Sequence, residues 1–158
     1  MTKEIGIFGA GCFWGVEESF LNTDGVVDTE VGYIGGTTSN PSYEDVCRDN
    51  TNHAEAVRVF YDSEIIIYED LLGVFFNIHD PTTFNRQGYD IGTQYRSAIF
   101  YLDDSQKIMS EKKIKILNED TFQNKITTTI EKSTTFWVAE EYHQKYIRKK
   151  KDRKYFSF

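Results

Sequence analysis

Apolar residues first gather in a short run, Glu4 to Ala10, that closes on Gly9, Ala10 and Gly11, the pattern of a buried strand opening into a turn. Behind it Phe13, Val16, Phe20 and Leu21 recur at helical spacing, so a helix is predicted there with Cys12 at or just before its first turn. Val26 to Ile34 is β-prone and ends at Gly35 and Gly36, Thr37 to Pro41 reads as loop, and Ala54 to Tyr61 reads as another strand. Tyr68, Leu71, Leu72, Phe75 and Phe76 mark the clearest helix, with Asp80 and Pro81 as its stop. Thr82 to Arg96 has two glycines, many polar groups and no period, and irregular stretches of that length in a compact domain are functional or disordered, which makes it a site candidate. Ser97 to Leu102 reads as a strand and Ser105 to Leu117 as a helix with Ile108, Met109, Ile116 and Leu117 inward. Ile126 to Ile130 reads as a strand and Ala139 to Arg148 as a last helix. Strands and helices alternate without a repeat or linker, so the expected fold is an α/β two-layer sandwich.

Length and composition narrow this to one domain over 1–158. The chain has 158 residues, of which 39% are hydrophobic and 15% aromatic, enough apolar bulk for a core and unlike a disordered chain. Arg148, Lys149, Lys150, Lys151, Arg153 and Lys154 against Asp152 make a basic tail from about 148, read as a solvated, frayed end. The formal charge is nonetheless −7, so the rest of the chain carries −12 and repels phosphate backbones; no nucleic-acid partner is expected. No apolar run approaches the roughly 20 residues of a membrane span and Met1 to Gly6 lacks the blocks of a secretory signal, so a soluble, cytoplasmic protein is expected, with no membrane partner. Two cysteines are too few for a disulfide framework and suit a reducing compartment, where each acts as a thiol or not at all.

Cys12 at a helix N-terminus meets free backbone N–H groups, which favour thiolate and nucleophilicity; the competing reading is a small buried hydrophobe at a strand end. Period-2 geometry puts Glu55 on one face of its strand with Val57 and Val59. Desolvation there keeps a carboxyl protonated to higher pH, as a general acid requires, unless His53 or Arg58 pairs with it. Tyr43, Asp90 and Tyr95 fall in segments read as loop, where they either point into a pocket or pack. Gly9, Gly11 and Gly15 imitate a dinucleotide fingerprint, but Trp14 occupies the position that needs glycine for the pyrophosphate to approach. No metal is expected either, because Cys12, Cys47, His53, His79 and His143 lack ligand-pair spacings.

The run Gly11-Cys12-Phe13-Trp14-Gly15 resembles the signature of the A-type peptide methionine sulfoxide reductases. Further blocks follow in that family's order: Gly32-Tyr33-Ile34-Gly35-Gly36, Pro41 to Cys47, His53 to Val57, His79 to Thr83, Arg86-Gln87-Gly88 and Gly92 to Ser97. The resemblance spans roughly Ile5 to Tyr146. It implies an α/β-plait (ferredoxin-like) sandwich with a mixed sheet. It also implies Cys12 as nucleophile, Glu55 as the acid facing the sulfoxide oxygen, Tyr43 and Tyr95 as hydrogen-bond partners of that oxygen, Phe13 and Trp14 as the wall for the S-methyl group, and Asp90 near the substrate. The implied activity is thiol-dependent reduction of methionine S-sulfoxide, free or in oxidised proteins, with no bound cofactor.

The chemistry is coherent in itself, because a sulfoxide sulfur becomes electrophilic only when its oxygen is protonated or strongly hydrogen-bonded. Many relatives carry recycling cysteines in a glycine-rich C-terminal tail, whereas Tyr142 to Phe158 contains none. A sulfenic acid on Cys12 is therefore expected to be reduced by an external thiol, glutaredoxin with glutathione or thioredoxin, with Cys47 as the candidate resolving cysteine in the alternative. The protein is expected to act as a monomer. Competing functions are another thiol enzyme, a peroxidase or acyl transferase, and a non-catalytic methionine-binding module.

Overall fold

In the computed structural model, which describes residues 2–48 and 50–156, the chain opens with β1 (Lys3–Ala10) and α1 (Phe13–Leu21), followed by β2 (Val26–Ile34), α2 (Tyr43–Cys47) and β3 (Ala54–Asp62). Next come α3 (Tyr68–Asn77), the two-residue strands β4 (Arg86–Gln87) and β5 (Asp90–Ile91), β6 (Ser97–Tyr101) and α4 (Asp104–Leu117). β7 (Thr129–Lys132), β8 (Trp137–Val138) and α5 (Tyr146–Phe156) complete the order. The main sheet runs β7-β6-β1-β3-β2-β8. Its central four strands are antiparallel neighbours, β1 and β2 being linked by α1 and β3 and β6 spanned by α3, which is the α/β-plait. β7 lies parallel to β6 across the α4 crossover, making the sheet mixed, and β8 extends the other edge beside β2.

Alternation along the strands divides the interior. Phe8, Val31, Tyr33, Val57, Val59 and Ile99 face the helices and meet Phe13, Phe20, Leu71, Leu72 and Phe75 in the main core. Ile7, Ile34, Ala54, Ala56, Ala98 and Phe100 make a smaller cluster, with Phe136 packed against it. The aromatic stacks of Phe8 on Phe20, 5.3 Å, and of Phe8 on Tyr68, 5.9 Å, tie α1 and α3 to β1.

Several expectations from sequence shift. Ile108 and Ile116 are 58% and 51% exposed; the inward stripe of α4 is Gln106, Ser110, Ile114 and Leu117, with Met109 beside it. Polar groups hold that stripe: Gln106 donates to the Ile5 carbonyl and accepts from the Leu102 N–H, while the Ser110 hydroxyl donates to the Gln106 carbonyl. The strand expected at Ile126 to Ile130 lies at Thr129–Lys132, because the Thr127 N–H and hydroxyl are taken by the Pro81 carbonyl. Tyr43 is the first residue of a helix, not of a loop, under a capping box made by Ser42 and Asp45. Thr82 to Arg96 folds into turns, the β4–β5 hairpin and a 3₁₀ turn, Thr93–Tyr95.

The C-terminal segment departs most. In place of a helix from Ala139 to Arg148 there is a 3₁₀ turn, Glu141–His143, then Lys145 at φ 51, then α5. Gln144 explains the break: its amide oxygen accepts from the Val31 N–H and its NH₂ donates to the carbonyls of Val31 and Ala139, so the side chain acts as a short piece of strand on β2. As far as Phe156 the basic tail is the helix α5 and not a frayed end. Arg148 and Lys151 pair with Glu18 on α1 at 3.5 and 3.1 Å. No helix among the described residues is long and apolar enough to cross a membrane.

Candidate active site

The turn out of β1 needs glycine at position 11 twice over. Gly11 has φ +95, and a Cβ there would come within 2.8 Å of the Gln87 side chain, which folds over this turn from the β4–β5 hairpin. Cys12 follows as the N-cap of α1, half-buried, with the backbone N–H groups of Trp14 and Gly15 in reach of its sulfur. Those dipoles favour the thiolate, yet burial outweighs them and the charges of Glu55 and Asp90 add to it, so the Cys12 thiol is pushed up from its ordinary value.

Glu55 reaches the same helix end from β3. Glu55 is 2% exposed, and its carboxyl accepts the Phe13 N–H at 3.2 Å, a first-turn donor that the helix itself leaves free. Neither sequence-level partner pairs with it. His53 is held by the Gly36 N–H and the Thr38 carbonyl, and Arg58 bridges Glu30 at 3.0 Å. Burial, with the Asp90 charge added and the Phe13 N–H opposing, carries the Glu55 pKa up to about 7. An acid poised at neutrality therefore sits beside the cysteine.

Tyrosine hydroxyls close the other side. Tyr95 ends the 3₁₀ turn after the hairpin, and burial together with the charges of Glu55, Cys47, Asp90 and Cys12 raises it to about 12, which keeps it a donor. Tyr43 is held at the start of α2 by its N–H, which donates to Glu140 at 2.9 Å. Its hydroxyl is also pushed up, first by a hydrogen bond with Cys47 and then by burial. Cys47, the last residue of α2, is an exposed free thiol at this mouth. Asp90, on β5, is itself exposed and acts on Cys12, Glu55 and Tyr95 through charge. Phe13 is 1% exposed and backs the site from the core against Tyr33 and His143, whereas Trp14 is half-buried beside the cysteine.

Sequence reasoning missed the C-terminal contribution. The Trp14 indole N–H donates to Nδ1 of His143 at 3.0 Å, and the Tyr146 ring stacks on Trp14 at 3.9 Å. Glu140 accepts from both the Tyr33 hydroxyl and the Tyr43 N–H, and these bonds, working against burial, hold its carboxyl below the ordinary range. The signal was a density of hydrogen-bonding and aromatic side chains from Glu140 to Tyr146 without an apolar period. Among the described residues no group of three or more His, Cys, Asp and Glu is arranged to hold a metal ion.

A thiol at a helix N-terminus, a buried acid bonded to that helix end and two hydroxyl donors are the groups needed to protonate one atom while a sulfur attacks its neighbour. The family model for peptide methionine sulfoxide reductase matches residues 4–158. The chain belongs to that family. The MsrA of Methanothermobacter thermautotrophicus is 53% identical over 152 residues, covering 96% of this chain and 90% of that protein. Among solved structures, reduced Mxr1 of Saccharomyces cerevisiae superposes with a TM-score of 0.86 at 40% identity, over 93% of this chain and 85% of the other. Mxr1 in complex with Trx2 matches at 0.64 and 30% identity, over 91% of this chain and 84% of that one. The reductase frame therefore covers every element that builds the site.

Proposed function

We propose that this reductase converts methionine S-sulfoxide, free or within oxidised proteins, to methionine through a sulfenic acid on Cys12, and so repairs oxidised proteins. The observation that carries the reading is the shared helix end: Cys12 caps α1 while Glu55, with a pKa raised to about 7, accepts the Phe13 N–H of the same turn. With the substrate methyl against Trp14 and Phe13, its oxygen faces Glu55 and the hydroxyls of Tyr43 and Tyr95, and Asp90 orients the substrate from the hairpin. Protonated Glu55 donates to the oxygen and removes a negative charge from beside Cys12, which eases ionisation of the thiol. The thiolate attacks sulfur, the oxygen leaves the substrate as hydroxyl on Cys12, and methionine departs; the thiol's proton ends on the sulfenic acid, so no net proton is consumed.

An external thiol then attacks the sulfenic acid, releasing water and leaving a mixed disulfide that a second thiol reduces. The Trx2 complex of the yeast relative supports a thioredoxin-class donor; the cysteine-free stretch Tyr142 to Phe158 equally suits glutaredoxin with glutathione. A second route has Cys47 displace the Cys12 hydroxyl as a resolving thiol; its support is that Cys47 acts on the hydroxyls of both Tyr43 and Tyr95, the second of which Cys12 also raises. The composition supports a monomer of the reducing cytoplasm with no nucleic-acid partner.

A single-turnover assay with methionine S-sulfoxide and no added thiol tests both steps. One methionine per chain with a dimedone-trappable oxygen on Cys12 establishes external recycling. One methionine with both thiols lost assigns resolution to Cys47. Turnover retained in Cys12→Ser would falsify the nucleophile.

A further inference from the structure

We propose that the groove of Tyr142, Tyr146, Lys149, Lys150 and Arg153 binds acidic residues flanking the oxidised methionine of a protein substrate. The inference rests on the reductase reading and adds a preference among its substrates. The groove encloses about 260 Å³. It continues directly from the catalytic mouth, since Tyr146 stacks on Trp14 at 3.9 Å and Tyr142 lies against His143 at 4.2 Å. A polypeptide that places a sulfoxide between Trp14 and Glu55 can therefore run out over these rings.

Charge decides what the groove accepts. Helix α5 has two working faces: Arg148 and Lys151 turn toward α1 and are neutralised by Glu18. Tyr146, Lys149, Lys150 and Arg153, at spacings of three, four and seven, line the groove. Lys149 pairs with Glu141 at 3.4 Å, whereas Lys150 and Arg153 have no anionic partner among the described residues. Residues before the tail carry −12, so the body as a whole disfavours an acidic segment; at the groove Glu141 is taken up by Lys149, and the charges of Glu140 and Glu44 felt at Tyr142 are set against the cations of Lys150 and Arg153. Two uncommitted cations beside the exposed Tyr142 ring and the half-buried Tyr146 ring fit carboxylates on a peptide.

The test compares short capped peptides holding one methionine S-sulfoxide flanked on both sides by Glu, by Ser or by Lys, with dithiothreitol as reductant. The wild-type protein is expected to prefer the Glu peptide over the Lys peptide in kcat/KM by about three- to tenfold, a preference that shrinks with added salt. In Lys150→Glu/Arg153→Glu the ratio is expected to fall to 1 or invert; Lys150→Gln/Arg153→Gln should fall between. A ratio near 1 in wild type, or one unmoved by charge reversal, overturns the proposal while methionine formation from all three peptides leaves the reductase reading standing. If no peptide yields methionine, the reductase reading itself fails. A reversal that changes only the KM for thioredoxin assigns the groove to the reductant and likewise overturns the proposal.

Discussion

The indole N–H of Trp14 donates to Nδ1 of His143 at 3.0 Å, joining the first turn of the catalytic helix to a C-terminal 3₁₀ turn 129 residues away. The bond requires a neutral imidazole with its proton on Nε2, and burial favours the neutral ring by holding the His143 pKa below its ordinary value. In the proposed mechanism, where Trp14 helps receive the S-methyl group, His143 is then a positioning residue. Replacing it by Phe removes the acceptor and should raise KM for methionine sulfoxide about fivefold, the worth of roughly one hydrogen bond. Asn, whose Oδ1 lies near the place of Nδ1, should restore most of the loss. A wild-type KM in the Phe variant with a raised one in the Asn variant would show that ring packing alone holds Trp14.

The pH profile of kcat/KM follows from Glu55. With a pKa of about 7 the group is a proton donor below neutrality and a carboxylate above it, where it also raises the cost of ionising Cys12. Activity should therefore stop climbing at about pH 7 and enter a flat limb, because loss of the Glu55 proton there offsets the growing thiolate fraction of Cys12. Glu55→Gln keeps the shape and a donor but has no proton to lose, so its profile should lack that limb, at a rate about 10²-fold lower. A wild-type profile that climbs without a break from pH 6 to 9 would contradict the assignment.

The same carboxyl also affects stability, with a definite sign. Its folded pKa, about 7, lies above the ordinary 4.5, so between these values the native state holds a proton that the unfolded chain has released. Stability is lost as pH rises across that window, by about 3 kcal/mol for the group alone. Glu55→Gln escapes the loss. Denaturant melts at pH 4.5 and 8 should show the variant gaining on wild type at the higher pH, and a constant difference would mean that the group ionises freely in the fold.

What the sequence made legible follows from where the stabilising contacts lie. β1, α1, β3 and α3 bury continuous apolar stripes, and their periods show directly in Phe8, Val16, Val57 or Leu71. α4 misleads because its inward stripe includes Gln106 and Ser110, which bury by bonding backbone, while Ile108 and Ile116 face solvent. Glu55 was visible as a carboxylate on a valine face, and the ordered motif blocks carried Cys12, Tyr43 and Tyr95. The direction of the Cys12 shift was not visible, since burial together with the charges of Glu55 and Asp90 outweighs the helix end, and both carboxylates lie on other strands. The C-terminal half of the site was hidden for a related reason: it docks through side chain to backbone bonds that leave no period.

Glu17 is the strongest case of such docking and gives the last test. It lies in α1, 1% exposed, and accepts the Thr29 hydroxyl at 2.7 Å and the Lys145 N–H at 2.7 Å. That N–H belongs to the residue at φ 51 where the 3₁₀ turn gives way to α5, so the carboxylate fixes the bend that carries His143 and Tyr146 to Trp14. Glu17→Ala leaves a buried hydroxyl and a buried N–H without an acceptor, at about 2–3 kcal/mol. Glu17→Gln keeps an acceptor for Lys145 and offers an amide donor to Thr29, so it should cost less than half as much. Hydrogen exchange should show protection lost from 141–153 in the alanine variant while β1 and β3 stay protected, with KM rising as Trp14 loses its support. If the glutamine variant is as damaged as the alanine one, the negative charge and not the acceptor geometry holds the C-terminal segment in place.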